Sequence, residues 1–313
     1  MADKALESNA AMGADYARRP NPLFRNMASK IALTPMMFTV VGVFIGCSVW
    51  TIVYSMTKSR VLPSSNIPKD FVGLANYARL FGDKRWNLSV SNLATFGITS
   101  IVFIFVVGFL LAVLMDQKIR FENTFRTIFL FPFALSAVIT GLVWQWYLNP
   151  AFGLQKAIRD LGWTSFTMDW VANREMVLYA LAIAAVWQGT GLVMALMLAG
   201  LRGIDDEIWK AARVDGIPRW RTYLSIVIPM MRPVFITAFV IVAAGIVRTY
   251  DIVVAMTGGG PGLSSQLPTI YIYEFTFTSN LGQGLAASTM LLVTVAIIVI
   301  PWAYFEFGRR ERR

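Results

Sequence analysis

Residues 92–115 read NLATFGITSIVFIFVVGFLLAVLM, a stretch without a single Asp, Glu, Lys or Arg. A helix needs roughly 20 predominantly apolar residues to cross about 30 Å of hydrocarbon, and this stretch is long enough. Four further charge-free runs lie between Lys30 and Lys58, Arg126 and Lys156, Glu175 and Arg202, and Glu274 and Glu306. A soluble core has no use for five such runs, so we expect the chain to reside in a bilayer.

The composition of the whole chain agrees with that expectation. Apolar residues make up 56% of it and charged residues 15%, against roughly 45–50% and about 25% in a soluble domain. Counting also a segment interrupted by Arg248 and Asp251, we predict an all-α membrane protein of about six transmembrane helices, occupying 31–306. The predicted helices cover about 31–56, 92–115, 127–147, 177–201, 233–256 and 284–306, between an N-terminal tail at 1–30 and a basic C-terminal tail at 307–313.

Basic residues determine the predicted orientation. With the N-terminus inside, the cytoplasmic segments contain 18 Lys and Arg residues and the outer segments contain 9. The positive-inside rule therefore places both termini and the 202–232 loop in the cytoplasm. These basic residues lie between apolar runs, with no aromatic–basic sheet or recognition helix around them, so the net charge of +10 does not indicate nucleic acid. The polar residues before the first run also exclude a cleavable signal peptide.

Several kinds of chemistry are excluded by what the sequence lacks. It contains no histidine, one cysteine (Cys47), and no phosphate-binding loop, nucleophile elbow or zinc-binding motif. We therefore predict no catalytic residue, no metal site and no cofactor bound by this chain. Any active transport must take its energy from another protein.

The loop at 202–232 is the most informative stretch and reads RGIDDEIWKAARVDGIPRWRTYLSIVIPMMR. Asp205 or Asp206 can cap the N-terminus of a short helix, and Gly216 can end it in a left-handed conformation. Pro218 suits the first turn of a second helix. The pattern predicts two short helices joined by a sharp turn, and a hairpin at the membrane interface or one docked on another protein would look much the same.

Two faces of this hairpin are predicted from the helical spacing. Ala211 and Ala212 would give the first helix a surface that a partner can approach closely. The second helix would carry one apolar face, made of Trp220, Leu224, Val227 and Ile228.

The loop resembles the EAA loop of permeases of binding-protein-dependent ABC importers. Ala211-Ala212, Asp215-Gly216 and Ile226-Val-Ile-Pro229 stand in the matching places, whereas Lys210 replaces the usual Glu. In that family the loop is a coupling helix seated in a groove of the ATPase subunit. The resemblance implies that role for Lys210, Ala211, Ala212, Asp215, Gly216, Pro218, Ile228 and Pro229.

Five further segments are similar to signatures of the carbohydrate-uptake group of these permeases. They read GLANY at 73–77, FRTIFLFP at 125–132, WQWYLNPAFGL at 144–154, WQGTG at 187–191, and YD at 250–251 with MTGGGPG at 256–262. They occur in the family's order around the EAA-like loop. The long N-terminal segment resembles the MalF/UgpA-type member of the permease pair.

The resemblance implies a set of partners. These are a second homologous permease, two ATP-binding subunits that use ATP and Mg, an extracytoplasmic solute-binding protein, a sugar substrate and membrane lipid. It also implies a transport subunit of the bacterial cell (inner) membrane rather than an enzyme.

Sugar binding needs aromatic faces for the apolar faces of the rings and fixed polar groups for the hydroxyls. Packing or interfacial anchoring is the alternative for each aromatic residue, and mutual neutralisation is the alternative for Arg248 and Asp251. The candidates for the solute pathway are Trp144, Gln145, Tyr147, Trp187, Gln188, Thr190, Arg248, Tyr250 and Asp251.

Three other functions remain as alternatives at this point. An ion-coupled secondary carrier should show an internal repeat and unpaired acids in its spans, and a membrane-embedded enzyme should show an acid–base or metal cluster there. An ABC importer for glycerol phosphate or polyamine is a nearer alternative than either.

Overall fold

The computed structural model describes residues 22–59, 70–117, 119–278 and 280–310. Across these residues the regular structure is helical, apart from one isolated antiparallel bridge between Thr57 and Phe71. The chain divides into two compact units, Met1–Val53 and Tyr54–Arg313. The first helical stretch belongs to the first unit as far as Val53, and the helices after it belong to the second.

The helices are numbered in chain order, and two π-helical segments interrupt them at Val40–Ile45 and Tyr223–Val227. They are α1 Pro22–Thr39, α2 Gly46–Ser55, α3 Ala75–Gly82, α4 Lys84–Asp116, α5 Glu122–Ala134, α6 Ala137–Tyr147, α7 Leu154–Asp160, α8 Val177–Arg202, α9 Asp206–Val214, α10 Arg219–Thr222, α11 Ile228–Met230, α12 Arg232–Val247, α13 Asp251–Thr257, α14 Pro268–Thr278 and α15 Leu281–Arg310.

Long apolar helices dominate the described part of the chain. Four stretches could cross a membrane by length and composition: Lys30–Ser55, Lys84–Asp116, Val177–Arg202 and Leu281–Tyr304. Two further candidates are bent pairs of helices. Glu122–Ala134 meets Ala137–Tyr147 at 98°, and Arg219–Met230 meets Arg232–Val247 at 71°. Counting each pair as one span gives six, and the predicted all-α membrane fold is confirmed.

Three predicted helices differ from the observed ones. Predicted helix 2 begins at Lys84 instead of 92, because Asp83 caps it with a carboxylate oxygen 2.8 Å from the backbone nitrogen of Arg85. Predicted helix 3 (127–147) is two helices, α5 and α6, separated by the sharp bend. Predicted helix 5 (233–256) ends at Val247, and α13 is a separate helix.

The predicted tails also change at their inner ends. Helix α1 begins at Pro22, so the last part of the predicted tail at 1–30 is helical. Helix α15 continues to Arg310, beyond the predicted end at 306. Residues 1–21 and 311–313 lie outside the described residues.

Small residues bring the helices of the larger unit close together. A Cβ at Gly108 of α4 would lie 2.9 Å from Val193 Cγ1 of α8. A Cβ at Gly191 of α8 would overlap the carbonyl group of Phe129 in α5, with its carbon at 2.9 Å. Helix α8 is thus held tightly between α4 and α5, and its buried residues form much of the core, including Met194, Met197 and Leu198.

A second cluster anchors α14 beside the start of α4. The buried Tyr271 hydroxyl donates a hydrogen bond to Asp83 Oδ2 at 2.7 Å and accepts one from Gln283 Nε2 at 2.7 Å. The ring of Tyr271 stacks on Phe275 at 4.2 Å and meets Trp86 edge-on at 5.5 Å. Burial and the hydrogen bond to Asp83 raise the pKa of Tyr271 above its ordinary value of 10.0.

Candidate functional sites in the coupling hairpin and the broken spans

The first helix of the 202–232 hairpin is defined by its two ends. Asp205 Oδ1 accepts a hydrogen bond from the backbone nitrogen of Glu207 at 3.0 Å, which makes Asp205 the N-cap. Helix α9 ends at Val214, and Gly216 follows with φ of +67°. The Ile217 nitrogen then donates to the Ala212 carbonyl at 3.0 Å, closing the turn. We call residues 202–232 the coupling hairpin.

The second helix of the hairpin begins after Pro218, which occupies the N-cap. Its middle turn, Tyr223–Val227, is π-helical. Thr222, Val227 and Met231 are buried, whereas Trp220 and Leu224 are exposed. The predicted single apolar face is therefore wrong. The wide π turn places the buried Thr222 and Val227 five positions apart, where an α-helix returns to the same face after three or four.

The predicted coupling residues do not all point the same way. Exposed side chains or backbone belong to Lys210, Ala211, Asp215, Gly216, Pro218 and Pro229, and Ile228 is half-buried. Ala212 is only 4% exposed and lines the cavity between the hairpin and the helix ends beside it, so it offers a partner almost no surface. Val214, at the end of α9, is 87% exposed and points outward instead.

The hairpin is tied to the helix ends beside it. The ring of Trp209 in α9 meets Tyr223 edge-on at 5.4 Å, which joins the two arms. Arg202 Nη2 lies 2.7 Å from Glu122 Oε1 of α5, and Arg202 Nε lies 3.8 Å from Asp116 Oδ1 of α4. Arg202 thus joins the base of the hairpin to the connection between α4 and α5. We name Arg202, Asp116 and Glu122 the arginine triad.

Sequence reasoning missed the arginine triad. Arg202 counted only as one of the basic residues that set the orientation. Asp116 and Glu122 lie in the predicted connection between helices 2 and 3, and nothing in the sequence pairs them with Arg202. A cavity of about 670 Å³ lies beside the triad, between α9, the second hairpin helix and the ends of α4 and α8.

The break in the third span is held by a side chain of α8. Leu135 and Ser136 have ψ of 149° and 139°, so the helix cannot continue through them. Gln188 Nε2 donates a hydrogen bond to the Leu135 carbonyl at 3.0 Å. Nearby, the absence of a side chain at Gly191 lets the backbone of Phe129 approach α8 closely. Gln188 therefore stabilises the bend, and it has this structural partner in addition to its predicted place on the pathway.

Three predicted pathway residues form one aromatic cluster after this bend. Trp144 meets Trp187 edge-on at 6.0 Å and Tyr147 at 5.6 Å. Trp144, Trp187 and Thr190 line an apolar cavity of about 940 Å³. Within the described residues, the buried Nε1 of Trp144 has no hydrogen-bond partner, and neither does the buried hydroxyl of Thr140 one turn earlier. Thr190 Oγ1 donates to the Val186 carbonyl of its own helix at 2.6 Å.

The remaining pathway candidates lie elsewhere. Gln145 faces a separate cavity of about 330 Å³ with Asn149 and Thr257. Arg248, Tyr250 and Asp251 lie at the break between α12 and α13.

The junction between α12 and α13 exposes charged groups. Arg248 Nε donates to the Ala244 carbonyl at 3.1 Å, and Asp251 is the exposed first residue of α13. No ion pair joins these two described side chains. The alternative interpretation, that Arg248 and Asp251 neutralise each other by pairing, is therefore wrong. Helix α13 packs closely on α6, since a Cβ at Gly141 would lie 2.7 Å from Ala255 Cβ. The second half of the bent third span therefore lies against α13.

The described part of the chain contains no candidate metal-binding site. No three His, Cys, Asp or Glu side chains in it lie close enough together to hold a metal ion. What the two sites offer instead is an exposed hairpin and a set of aromatic and amide groups at two helix breaks.

The chain belongs to the family of binding-protein-dependent transport system inner membrane components, whose sequence profile matches residues 104–313. It is a permease subunit of this class of ABC importer and a multi-pass membrane protein. The family predicted from the EAA-like loop and its flanking signatures is thereby confirmed.

Two relatives and one solved structure illustrate the similarity. A probable ABC transporter permease protein of Pyrococcus horikoshii is 34% identical over 277 residues, covering 87% of this chain and 94% of its own. The trehalose/maltose transport system permease protein MalF of Thermococcus litoralis is 28% identical, covering 78% of this chain and 82% of its own. A bacterial ABC transporter involved in alginate import matches with a TM-score of 0.72 at 17% identity, over 93% of this chain and 99% of that one. This last likeness concerns the fold alone.

Proposed function

We propose that this chain forms half of the translocation pathway of an ATP-driven sugar importer. Its partners are a second homologous permease, two ATP-binding subunits and an extracytoplasmic solute-binding protein. The chain itself binds no cofactor and hydrolyses no ATP, and the ATP-binding subunits use ATP and Mg. The observation that carries this proposal is the coupling hairpin, which presents Lys210, Ala211 and Val214 outward at the end of a membrane bundle.

The hairpin is the contact with the ATPase in this proposal. A short helix with an apolar tip can be seated in a groove of a partner. Lys210 brings a positive charge to the position that is usually acidic, so its partner on the ATPase is an acidic group or a backbone carbonyl. Ala212 supports the helix from within and takes no part in the contact.

The proposed mechanism moves the hairpin as a unit. Closure of the two ATP-binding subunits displaces α9, and the Trp209–Tyr223 contact transmits the displacement to the second arm. The arginine triad transmits it to the ends of α4 and α5. The helix bundle then turns outward and receives solute from the binding protein.

The proposed orientation follows from the distribution of basic residues. Both termini and the coupling hairpin lie in the cytoplasm, and the chain resides in the bacterial cell (inner) membrane. The connections at 57–91, 148–176 and 257–283 then face the binding protein.

The proposed solute is a sugar or glycoside, and the broken spans provide its pathway. Trp144, Trp187 and Tyr250 offer ring faces, and Gln145, Gln188 and Thr190 offer polar groups. The Nε1 of Trp144 is a buried donor that a hydroxyl could satisfy. The similarity to a trehalose/maltose permease protein supports this class of solute.

Uptake by the assembled transporter tests the proposal. The chain and its four partner subunits are reconstituted in liposomes and offered radiolabelled maltose, trehalose, glucose, lactose and xylose. We expect uptake of at least one of these sugars to require ATP and to persist when ionophores remove all ion gradients. Uptake with ATP depleted and the gradient intact would contradict an ATP-driven importer and favour an ion-coupled carrier.

A second candidate solute is glycerol phosphate. The observation in its favour is the exposed Arg248, a cation without an acidic partner within 4.0 Å in the described structure. ATP-dependent uptake of glycerol phosphate and of none of the five sugars, abolished in Arg248→Gln, would establish it. Polyamine uptake would instead require the acidic Asp251.

A further inference from the structure

Three aromatic rings form a row that begins at the junction between α12 and α13, where the first ring, Tyr250, is half-buried. The ring centroids of Tyr250 and Tyr273 are 5.5 Å apart, and those of Tyr273 and Phe277 are 5.0 Å apart. The side chains of Tyr273 and Phe277 are 49% and 63% exposed. We call Tyr250, Tyr273 and Phe277 the aromatic row. Sequence reasoning selected only its first member.

The row is built by the spacing of α14. Thr269 Oγ1 donates a hydrogen bond to the Thr249 carbonyl at 2.6 Å, which fastens the first turn of α14 to the helix break. Residues 273 and 277 follow Thr269 at intervals of four, so they lie on the same helix face. The first of them therefore reaches Tyr250, and the second continues the row away from the break.

The other side of α14 is firmly held, which leaves the row as its free face. Tyr271 is fully buried and hydrogen-bonded to Asp83 and Gln283, and Phe275 stacks on it. Glu274 pairs with Arg85 at the edge of the row. Anchoring on one side keeps the exposed rings in fixed positions, and a fixed ring loses little conformational entropy when it binds a ligand.

The chemistry of the row fits a saccharide better than a purely apolar partner. Exposed aromatic faces bind the apolar faces of sugar rings, and the polar groups beside them bind hydroxyls. Here the Tyr250 and Tyr273 hydroxyls, Asp251 and Arg248 lie at the start of the row, where it joins the proposed pathway. An apolar partner would leave these polar groups without compensation.

We propose that the aromatic row is a binding site for a neutral saccharide on its way into the pathway, with successive sugar rings against Tyr250, Tyr273 and Phe277. This inference rests on the proposed sugar-import function. It adds α14, which belongs to the connection at 257–283, to the surfaces that contact the solute.

Cysteine labelling of the assembled transporter tests this site. Cys47 is the only cysteine of the chain, so a Cys47→Ser background leaves a single thiol in Phe277→Cys and in Tyr273→Cys. Labelling rates are measured with a membrane-impermeant maleimide, in the presence of the binding protein and an ATP analogue that is not hydrolysed. The probe is whichever of maltose, trehalose, glucose, lactose and xylose the same liposomes take up. Leu161→Cys, at a position 88% exposed in the connection at 148–176, is the matched control.

We expect both row cysteines to react and the transported sugar to slow their labelling roughly tenfold at ten times its apparent Kd, by mass action. The labelling of the Leu161→Cys control should not change. Unchanged labelling of both row cysteines by a sugar that is taken up overturns the site while leaving sugar import intact. Absence of labelling in the assembled transporter overturns it in favour of contact with the second permease, and labelling by membrane-permeant reagents alone overturns it in favour of lipid. If none of the five sugars is taken up, the sugar-import function fails and the inference fails with it.

Discussion

The side-chain amide of Gln188 donates a hydrogen bond to the carbonyl oxygen of Leu135, 3.0 Å away, where the third span bends by 98°. A helix break inside a membrane frees backbone groups that no water is present to satisfy. Gln188 satisfies one of them from the neighbouring helix α8. The polar residue in the middle of an apolar span is thus explained first by the bend, and its contribution can be measured there.

Replacing Gln188 with Leu should lower the stability of the bend. Interhelical hydrogen bonds in membrane proteins contribute about 0.6 kcal/mol on average and up to about 1.7 kcal/mol. We expect a loss within that range in the free energy of unfolding, measured by denaturant titration in detergent. The control is Thr127→Val, since Thr127 is exposed and its hydroxyl donates to the Asn123 carbonyl of its own helix at 3.0 Å. Equal losses in the two variants would contradict the bridging role.

Gly191 should tolerate no side chain. A Cβ there overlaps the carbonyl group of Phe129, and overpacking of this kind costs roughly 1–3 kcal/mol. We expect Gly191→Ala to lower the thermal unfolding temperature and ATP-dependent uptake. Gly245→Ala is the matched change, because Gly245 is also helical but has no atom within 4 Å of its Cβ position. That variant should be neutral or more stable by up to about 1 kcal/mol.

Position 216 requires glycine because of its backbone conformation, not because a side chain would lack space. Its φ is +67° and nothing lies within 4 Å of its Cβ position. A side chain in the left-handed conformation costs roughly 1–2 kcal/mol, and a β-branched one is disfavoured further. Gly216→Val should therefore distort the hairpin turn and abolish ATP-dependent uptake, with membrane insertion intact by protease protection. Gly82→Val, at an open position without positive φ, should transport normally. Normal uptake by Gly216→Val would show that the turn is not needed for coupling.

The arginine triad should affect coupling more than stability. Arg202 is 40% exposed on its side chain, so screening limits its pairs to about 0.2–1 kcal/mol. We expect Arg202→Gln to raise the number of ATP molecules hydrolysed per solute taken up, since movement of the hairpin no longer reaches α4 and α5. Lys156→Gln, which breaks the exposed Lys156–Asp160 pair at 2.9 Å, should leave that ratio unchanged.

A double-mutant cycle locates the interaction of the triad. If Arg202 acts through Glu122, then Glu122→Gln and the double variant should show the same ratio of ATP to solute as Arg202→Gln. Additive changes would instead assign independent roles to the two residues.

Tyr271 should make the stability of the protein fall at high pH. Its pKa is raised above 10.0 by burial and by its hydrogen bond to Asp83, so the folded protein keeps a proton that the unfolded chain loses near pH 10. The stabilisation that the protonated Tyr271 gives the folded protein is complete below pH 10. It decreases as the pH rises toward the raised pKa, by up to about 1.4 kcal/mol per pH unit. The thermal unfolding temperature should therefore fall more steeply between pH 9 and 11 for the native chain than for Tyr271→Phe. Parallel pH profiles would mean that Tyr271 does not titrate in this way.

Local signals predicted much of the fold. Long charge-free runs predicted five of the six candidate spans. Asp205 and Gly216 marked the ends of α9, because caps and left-handed turns depend on neighbouring residues alone. The same reasoning failed at the break after Ala134. The side chain that satisfies the freed Leu135 carbonyl there is Gln188, 53 positions distant in the chain. Pro132, which disrupts a helix, and Ser136, a residue type favoured at helix starts, were the local signals of the break.

The candidate sites were predictable to a smaller degree. Which of two adjacent alanines faces outward depends on the packing of the arms, and Ala212 turned out to be the inner one. The arginine triad joins ends of three helices and has no spacing that a linear pattern could reveal. The clustering of Trp144 with Trp187 follows from the bend between α5 and α6, so it could not be derived before the bend was known.

The π-helical turn at Tyr223–Val227 has a consequence for insertions and deletions. A π turn holds one residue more than an α turn, so removing a single residue from it can restore a regular helix. The extra residue is accommodated within the wide turn, so the residues on either side keep the helix faces that they would have in an uninterrupted α-helix. Deleting one residue within α9 would instead rotate the residues after it by about 100°. The hairpin can therefore lose a residue at Tyr223–Val227, but not in α9, without changing which side chains it presents outward.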